Sequence, residues 1–435
     1  MNTAAKRRFY VETLGCPKNQ VDSDKIIGSL VRDGFVATAE IDEADLVVVN
    51  TCAFIDEARR ESIDTILALD ESRADSSRLV VTGCMAERYG EELARELPEV
   101  DAVVGFGGDI AGTIPGRRRI PVVEAPLPTF DLLNLPRPQS DRPWAYVKIA
   151  EGCNRSCGFC AIPSFRGPQR SRDAESILAE IDDLKVREAV LVAQDLASYG
   201  VDRPDDIGAG AIVSLVREVA ARVDRVRLLY LYPSDLSDDL ISTIIGSGVP
   251  YFDLSLQHVS KPLLRRMRRW GDGERFLRRI REIRAAEPTA TLRSNFIVGY
   301  PGETEADHDA LLQFVEDAQL DWCGFFTYSN EIGTHAAGLD GHIDADTMYR
   351  RHAELSELQD AITAQRRDDL VGEVVEVLVD AVGVGRSHRE APEIDGIIHV
   401  DPTLAVGEMH TVEIEQAFGP DLVARGGSMP FDGND

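Results

Sequence analysis

Glu151-Gly-Cys153-Asn-Arg-Ser-Cys157-Gly-Phe-Cys160 sets three cysteines in a C-x3-C-x2-C run. Thiolates are the usual ligands of iron–sulfur clusters, and three of them can hold three irons of a 4Fe–4S cubane. The fourth iron is then left for a small molecule. A zinc loop would need a fourth ligand and a disulfide framework a secreted setting, and the spacing fits neither. Three further cysteines lie far apart, yet Cys16, Cys52 and Cys84 each follow a strand-like stretch: Phe9-Tyr-Val-Glu-Thr-Leu, Asp45-Leu-Val-Val-Val-Asn-Thr and Arg78-Leu-Val-Val-Thr-Gly. In open α/β sheets the ligand crevice lies outside the carboxyl ends of the strands. Parallel strands would therefore bring these thiols to one edge, and a second cluster with an open iron is expected there. Taken singly, each could be a small apolar filler, as Cys323 in Trp322-Cys-Gly-Phe-Phe is expected to be.

The elements that must position these thiols fall into three parts. Residues 6–121 alternate strand and helix patterns, including a Val-rich run typical of a strand buried on both faces and a helix around Ile55 to Leu69. Asp22-Ser-Asp24 is expected to cap the first helix. The pattern predicts a doubly wound α/β domain. Residues 122–140, within a passage carrying Pro121, Pro126, Pro128, Pro136, Pro138 and Pro143, read as a linker. Over 141–367, six strand candidates separated by amphipathic stretches predict a partial (β/α)6 barrel, its first strand running into the cysteine motif at the C-terminal face. Gln194, Asp195, Ser255 and Gln257 stand at strand ends, Arg293 inside the fifth strand, and Phe159 beside Cys160. These are candidate ligand contacts; Phe159 could cover a bound ring or simply pack the loop. Arg265-Arg-Met-Arg-Arg269 reads as a solvated helix face. Residues 368–435 carry short runs between Gly and Pro turns, which predict a small antiparallel β-barrel.

Across 435 residues no apolar run is long enough for a membrane span, and Phe9-Tyr-Val starts a strand where a signal peptide would need an apolar region. Seven dispersed cysteines fit metal-binding thiols in a reducing cytoplasm. The formal net charge is −28, so phosphate backbones are repelled and basic partners attracted. The terminal barrel has fifteen Asp and Glu against three arginines, a formal −12. Direct nucleic-acid recognition is not expected.

Several motifs carry a family resemblance: Gly15-Cys-Pro-Lys-Asn19, Val21-Asp-Ser-Asp24, Glu151-Gly-Cys-Asn-Arg155, Ala161-Ile-Pro163, Arg166-Gly167 and Ala391-Pro-Glu-Ile-Asp-Gly396. With the three-part layout, the chain resembles the radical S-adenosylmethionine (SAM) methylthiotransferases almost end to end. Within them it looks like the RimO branch, which acts on an aspartate of small-subunit ribosomal protein uS12. The resemblance implies an N-terminal methylthiotransferase domain, a radical-SAM core and a C-terminal TRAM domain. It implies that Cys153, Cys157 and Cys160 hold a SAM-cleaving 4Fe–4S cluster, and that Cys16, Cys52 and Cys84 hold an auxiliary 4Fe–4S cluster. Phe159, Gln194, Asp195, Ser255, Gln257 and Arg293 become candidate SAM contacts. Sulfur would be joined to an unactivated β-carbon, a task for radical chemistry supplied by the cofactor. The partners implied are a basic ribosomal protein, free or on the small subunit, an external electron donor and a sulfur source. Gly158 stands where the family often has Thr or Ser. Two alternatives stand beside this: a tRNA methylthiotransferase of the MiaB type, which the acidic terminal barrel disfavours, and a non-catalytic iron–sulfur electron carrier, whose clusters would be fully ligated.

Overall fold

The computed structural model describes residues 6–113 and 132–429. The first part comprises β1 (Arg8–Thr13), α1 (Pro17–Arg32), β2 (Val36–Ala37), β3 (Leu46–Thr51), α2 (Asp56–Ser72), β4 (Arg78–Gly83), α3 (Cys84–Glu96) and β5 (Ala102–Val103). The strands form one parallel sheet in the order β2-β1-β3-β4-β5. Every residue of β3 is buried, as its continuous apolar run requires. Because β1, β3 and β4 are neighbours, their carboxyl ends share one edge. The first helix departs from expectation. It begins at Pro17, whose fixed φ and missing N–H suit a first turn, with Cys16 as N-cap. Asp22, Ser23 and Asp24 therefore lie inside the helix and cap nothing; Asp22 is buried.

The Pro-rich passage lies partly outside the described residues, which resume at 132. The described remainder is packed: Leu135 O accepts from Lys25 Nζ at 2.8 Å, and Arg137 pairs with Asp24 at 2.8 Å and Glu180 at 3.0 Å.

The central part follows as β6 (Trp144–Lys148), β7 (Ala150–Glu151), α4 (Ile162–Arg166), β8 (Arg170–Ser171), α5 (Ala174–Leu184), β9 (Glu188–Val192), α6 (Ala211–Ala220), β10 (Arg225–Leu228), α7 (Asp238–Ile245) and β11 (Tyr251–Gln257). It continues with α8 (Lys261–Arg266), α9 (Gly273–Ala286), β12 (Thr291–Val298), α10 (Glu305–Ala318), β13 (Trp322–Thr327) and α11 (Ala345–Asp368). Two parallel three-stranded sheets, β6-β9-β10 and β11-β12-β13, are joined by a parallel bridge between Leu231 and Leu254. The result is an open barrel of six strands with helices outside. Its hollow is filled in part by neighbours: Val21 of α1 and Ala391 pack with Trp144, Tyr146, Val190, Tyr251 and Trp322.

The last part closes as a barrel of β14 (Val374–Ala381), β15 (Val384–Arg386), β16 (Ile398–His399), β17 (Met409–Phe418) and β18 (Asp421–Ala424), in the order β14-β15-β16-β18-β17. One pairing, β16 with β18, is parallel, so the barrel is not wholly antiparallel. This barrel is bolted to the central part. Tyr146 Oη donates to Pro392 O at 2.8 Å, Trp322 Nε1 to Arg389 O at 2.7 Å and Tyr251 Oη to Asp395 at 2.6 Å. Buried Glu188 pairs with Arg227 at 2.7 Å and, across the junction, with Arg386 at 3.1 Å. Among the described residues no helix is long and apolar enough to cross a membrane.

Candidate functional site

Where the sheet edge meets the mouth of the open barrel lies a cavity of about 520 Å³. Cys16, Cys52 and Cys84 line it from the N-terminal part, and Cys153, Cys157 and Cys160 from the loop after β7. Phe159, Gln194, Asp195, Ser255, Gln257 and Arg293 line the same space. All twelve sequence-nominated residues thus face one cavity. Cys323 is not among its lining residues and packs against the barrel core instead.

The first set is drawn close by a glycine. Gly15 sits at φ +96°, and a Cβ there would stand 2.8 Å from Cys52 Cβ and 2.9 Å from its Sγ. No larger residue could turn the chain at this point and leave the thiol its room. The second set folds on its own backbone: the Cys153 amide donates to Gly167 O at 3.1 Å, and the Arg155 amide to Cys153 Sγ at 3.3 Å.

Against Cys84 lies a buried network of four charges. Lys148 Nζ bonds Asp22 and also Glu151 Oε2 at 2.8 Å. The Arg166 guanidinium donates to Asp22 Oδ2 and both Glu151 oxygens at 3.0 Å, to Asn19 Oδ1 at 2.8 Å and to Cys84 Sγ at 3.0 Å. Two cations and two carboxylates balance, as a dry site demands. For Glu151, burial acts upward, but the charges of Arg166 and Lys148 outweigh it and hold the carboxyl far below its ordinary range. Gln194 Nε2 adds a bond to Glu151 at 2.6 Å, while its buried Oε1 has no partner among the described residues.

Burial pushes the Cys52 thiol up to about 12, with Cys16 and Cys84 adding to the effect. It likewise pushes Cys153 to about 11 and Cys160 to about 12, and raises Cys84 in spite of Arg166. At Cys16 burial also acts upward, but Lys18, Arg166 and backbone amides outweigh it and the thiol is lowered. Metal binding here must displace protons.

Sequence reading missed several lining residues. Arg155 bonds Asp195 at 2.6 Å and pairs with Asp235; with Arg269 it brackets the Tyr232 ring, each guanidinium 3.9 Å from the centroid. Arg269 also reaches Ser255 O, and Cys157 Sγ at 3.4 Å. The 265–269 run is therefore not one solvated face: Arg265 and Arg268 are exposed, while Arg269 lines the cavity. Arg293, inside β12, is held by Asp253 at 3.3 Å and Asp395 at 3.2 Å. Tyr230 and Gln257 line the cavity at φ +68° and +73°. Such backbone in non-glycine residues is strained and clusters at functional sites.

All seven cysteines are free thiols. Each set offers three sulfur donors to the cavity, the donor chemistry of a 4Fe–4S cluster, and Gln194, whose buried Oε1 lacks a partner among the described residues, lines the same space. The residues fit these groups.

Residues 8–105 match the family described as Uncharacterized protein family UPF0004, residues 147–315 the Radical SAM superfamily, and residues 371–426 the TRAM domain. The chain is 43% identical over 427 residues to the ribosomal protein uS12 methylthiotransferase RimO of Moorella thermoacetica, covering 94% of this chain and 97% of that one. It is 40% identical over 474 residues to the RimO of Cutibacterium acnes, covering 96% and 97%. The RimO of Salinispora tropica is 41% identical over 487 residues, covering 96% and 95%. At this identity, along nearly the whole of each chain, the kinship is one of entire proteins and not of a shared module. The chain belongs to the ribosomal protein uS12 methylthiotransferase (RimO) family of radical SAM enzymes.

Proposed function

We propose that this enzyme methylthiolates the β-carbon of an aspartate in ribosomal protein uS12, with Cys153, Cys157 and Cys160 holding one 4Fe–4S cluster and Cys16, Cys52 and Cys84 the other. The observation that carries this reading is the convergence of both cysteine sets on one cavity. When bound, SAM and the two clusters supply the one-electron chemistry and the sulfur route that side chains cannot. The chain's own residues do the positioning. Gln194, anchored through Nε2 on Glu151, would accept at Oε1 from the SAM amino group. Asp195 and Arg155 fix each other beside the second cysteine set. Phe159, packed against the barrel core, would cover the adenine. Arg293 is spent on two carboxylates and supports the wall.

The division into parts at 6–121, 141–367 and 368–435 belongs to the same proposal. An external electron donor and sulfur source complete the reaction, in a reducing cytoplasm. The acidic terminal barrel suits a basic protein substrate better than tRNA. Mass spectrometry of ribosomal proteins and tRNA from cells with and without the gene tests the reading. A gene-dependent methylthio group on one uS12 aspartate is expected; a gene-dependent change in tRNA alone would overturn it.

A further inference from the structure

The charges lining the cavity are nearly all engaged. Arg155 is paired with Asp195 and Asp235, Arg166 with Asp22 and Glu151, and Arg293 with Asp253 and Asp395. Arg269 donates to the Ser255 carbonyl, and Glu331 is clamped by Arg59 at 2.6 Å and Arg88 at 2.8 Å. One lining cation differs. Among the described residues Lys18 has no carboxylate or carbonyl partner; its Nζ lies 3.5 Å from the centroid of the Tyr230 ring. A ring face holds an ammonium in place without neutralising it, so the charge stays available to an anion.

Three features argue that this placement is not for the fold. Lys18 is the second residue of α1, and a cation there opposes the helix dipole. The ring beneath it belongs to a residue in strained backbone, whose amide is tied to Asp253 Oδ2 at 3.0 Å. And in a chain of formal charge −28, with carboxylates in plenty, this lining cation is left without one while Arg155, Arg166 and Arg293 each have theirs. Lys18 stands two residues after Cys16, while Tyr230 follows β10 of the barrel, and both line the cavity that the two cysteine sets share.

We infer that Lys18 is the specificity-determining residue of the reaction: its ammonium receives the side-chain carboxylate of the target aspartate and so holds the β-carbon, one bond away, between the two sets of thiols. This rests on the functional reading above and names how its substrate is chosen. A half-buried cation in the cavity that faces an uncharged amide loses its partner, so asparagine at the same position is rejected.

The test crosses enzyme and substrate. Binding of full-length uS12, with aspartate or asparagine at the modified position, is measured by fluorescence anisotropy on the reconstituted enzyme, together with KM and kcat for the aspartate form. The unsubstituted enzyme should bind the aspartate form about 10- to 100-fold tighter than the asparagine form. Lys18→Met, compared at equal iron content because Lys18 also lowers the Cys16 thiol, should bring that ratio to near one and raise KM more than it lowers kcat. Lys18→Arg should restore most of the ratio. Lys18→Met enzyme that keeps full discrimination overturns the inference, as does a defect confined to SAM binding or an unsubstituted enzyme that does not discriminate. If the unsubstituted enzyme neither binds nor modifies uS12, the substrate reading itself falls, and the inference with it.

Discussion

Gly158 shows how much a single missing methyl group can decide. A Cβ at this position would stand 2.7 Å from the Tyr300 hydroxyl and 3.3 Å from Met267 O. Tyr300 is fully buried and donates to Arg266 O at 3.1 Å, while the Gly158 amide donates to Met267 O at 2.7 Å. The tyrosine therefore occupies the room that a Ser or Thr side chain would take. Gly158→Ser should destabilise the fold by about 1–3 kcal/mol, the usual cost of overpacking. Tyr300→Phe should relieve part of that, because removing the hydroxyl frees the space. Denaturant unfolding of the two single variants and the double variant measures the coupling; strictly additive losses would contradict the steric account. The six cysteines were legible in the sequence because their chemistry needs no neighbours to declare itself. Their arginine partners were not. Nothing local marks Arg166 as the donor to Cys84, 82 positions earlier, or Arg269 as the donor to Cys157.

At the level of elements, the N-terminal thiols are delivered by the sheet edge and the others by one loop, so the two sets should load independently. Reconstituted enzyme should approach about eight irons per chain, and Cys153, Cys157 and Cys160 all changed to Ala should leave about four. Iron and sulfide assays decide it, and complete loss in the triple variant would mean one shared site. The strands were readable from Val-rich runs and the turn residues after them. The start of α1 was not, because Asp22 has the composition of a cap and the surroundings of a core group. Its partners Lys148 and Arg166 are brought to it only when the barrel mouth meets the sheet edge. In the barrel, hydrophobic periodicity gave all six strands, but not that a helix and a loop from the flanking parts would fill its hollow.

For the whole molecule, the junction between the central and terminal barrels depends on ionised Glu188. Burial acts to raise its pKa, but Arg386 and Arg227 outweigh that and hold it at about 2, below the ordinary 4.5. Its contribution is complete above pH 4.5 and is lost as pH falls from there towards about 2. Glu188→Gln should therefore be less stable at neutral pH, by about 3–5 kcal/mol for a broken buried pair. Its stability should also change less than that of the unsubstituted enzyme as pH falls through this window. Urea unfolding across the range tests both statements. The terminal barrel's formal −12 overstates its outward field, since Glu390 is buried against Arg367 and Asp395 against Arg293. Glu373, Glu376 and Glu415 are exposed, and Glu413 is half-buried. Reversing these four to Lys should weaken association with uS12, more at low salt than at high, as the Debye length falls from about 10 Å at 0.1 M to about 3 Å at 1 M. Equal binding by the reversed enzyme at low salt would rule the field out.

The bolts between the two barrels have a geometric consequence. Tyr146, Tyr251 and Trp322 all reach from barrel strands to the backbone or side chains of residues 389–395, and Arg225 donates to Arg386 O at 2.8 Å. A terminal barrel tied at so many points cannot swing like an arm on a tether. The span from its acidic face to the thiols is therefore constant. A protein docked on that face would present to the cavity whichever residue lies one fixed length away. Such a fixed span would let one carboxylate among many on a docked protein be chosen by distance.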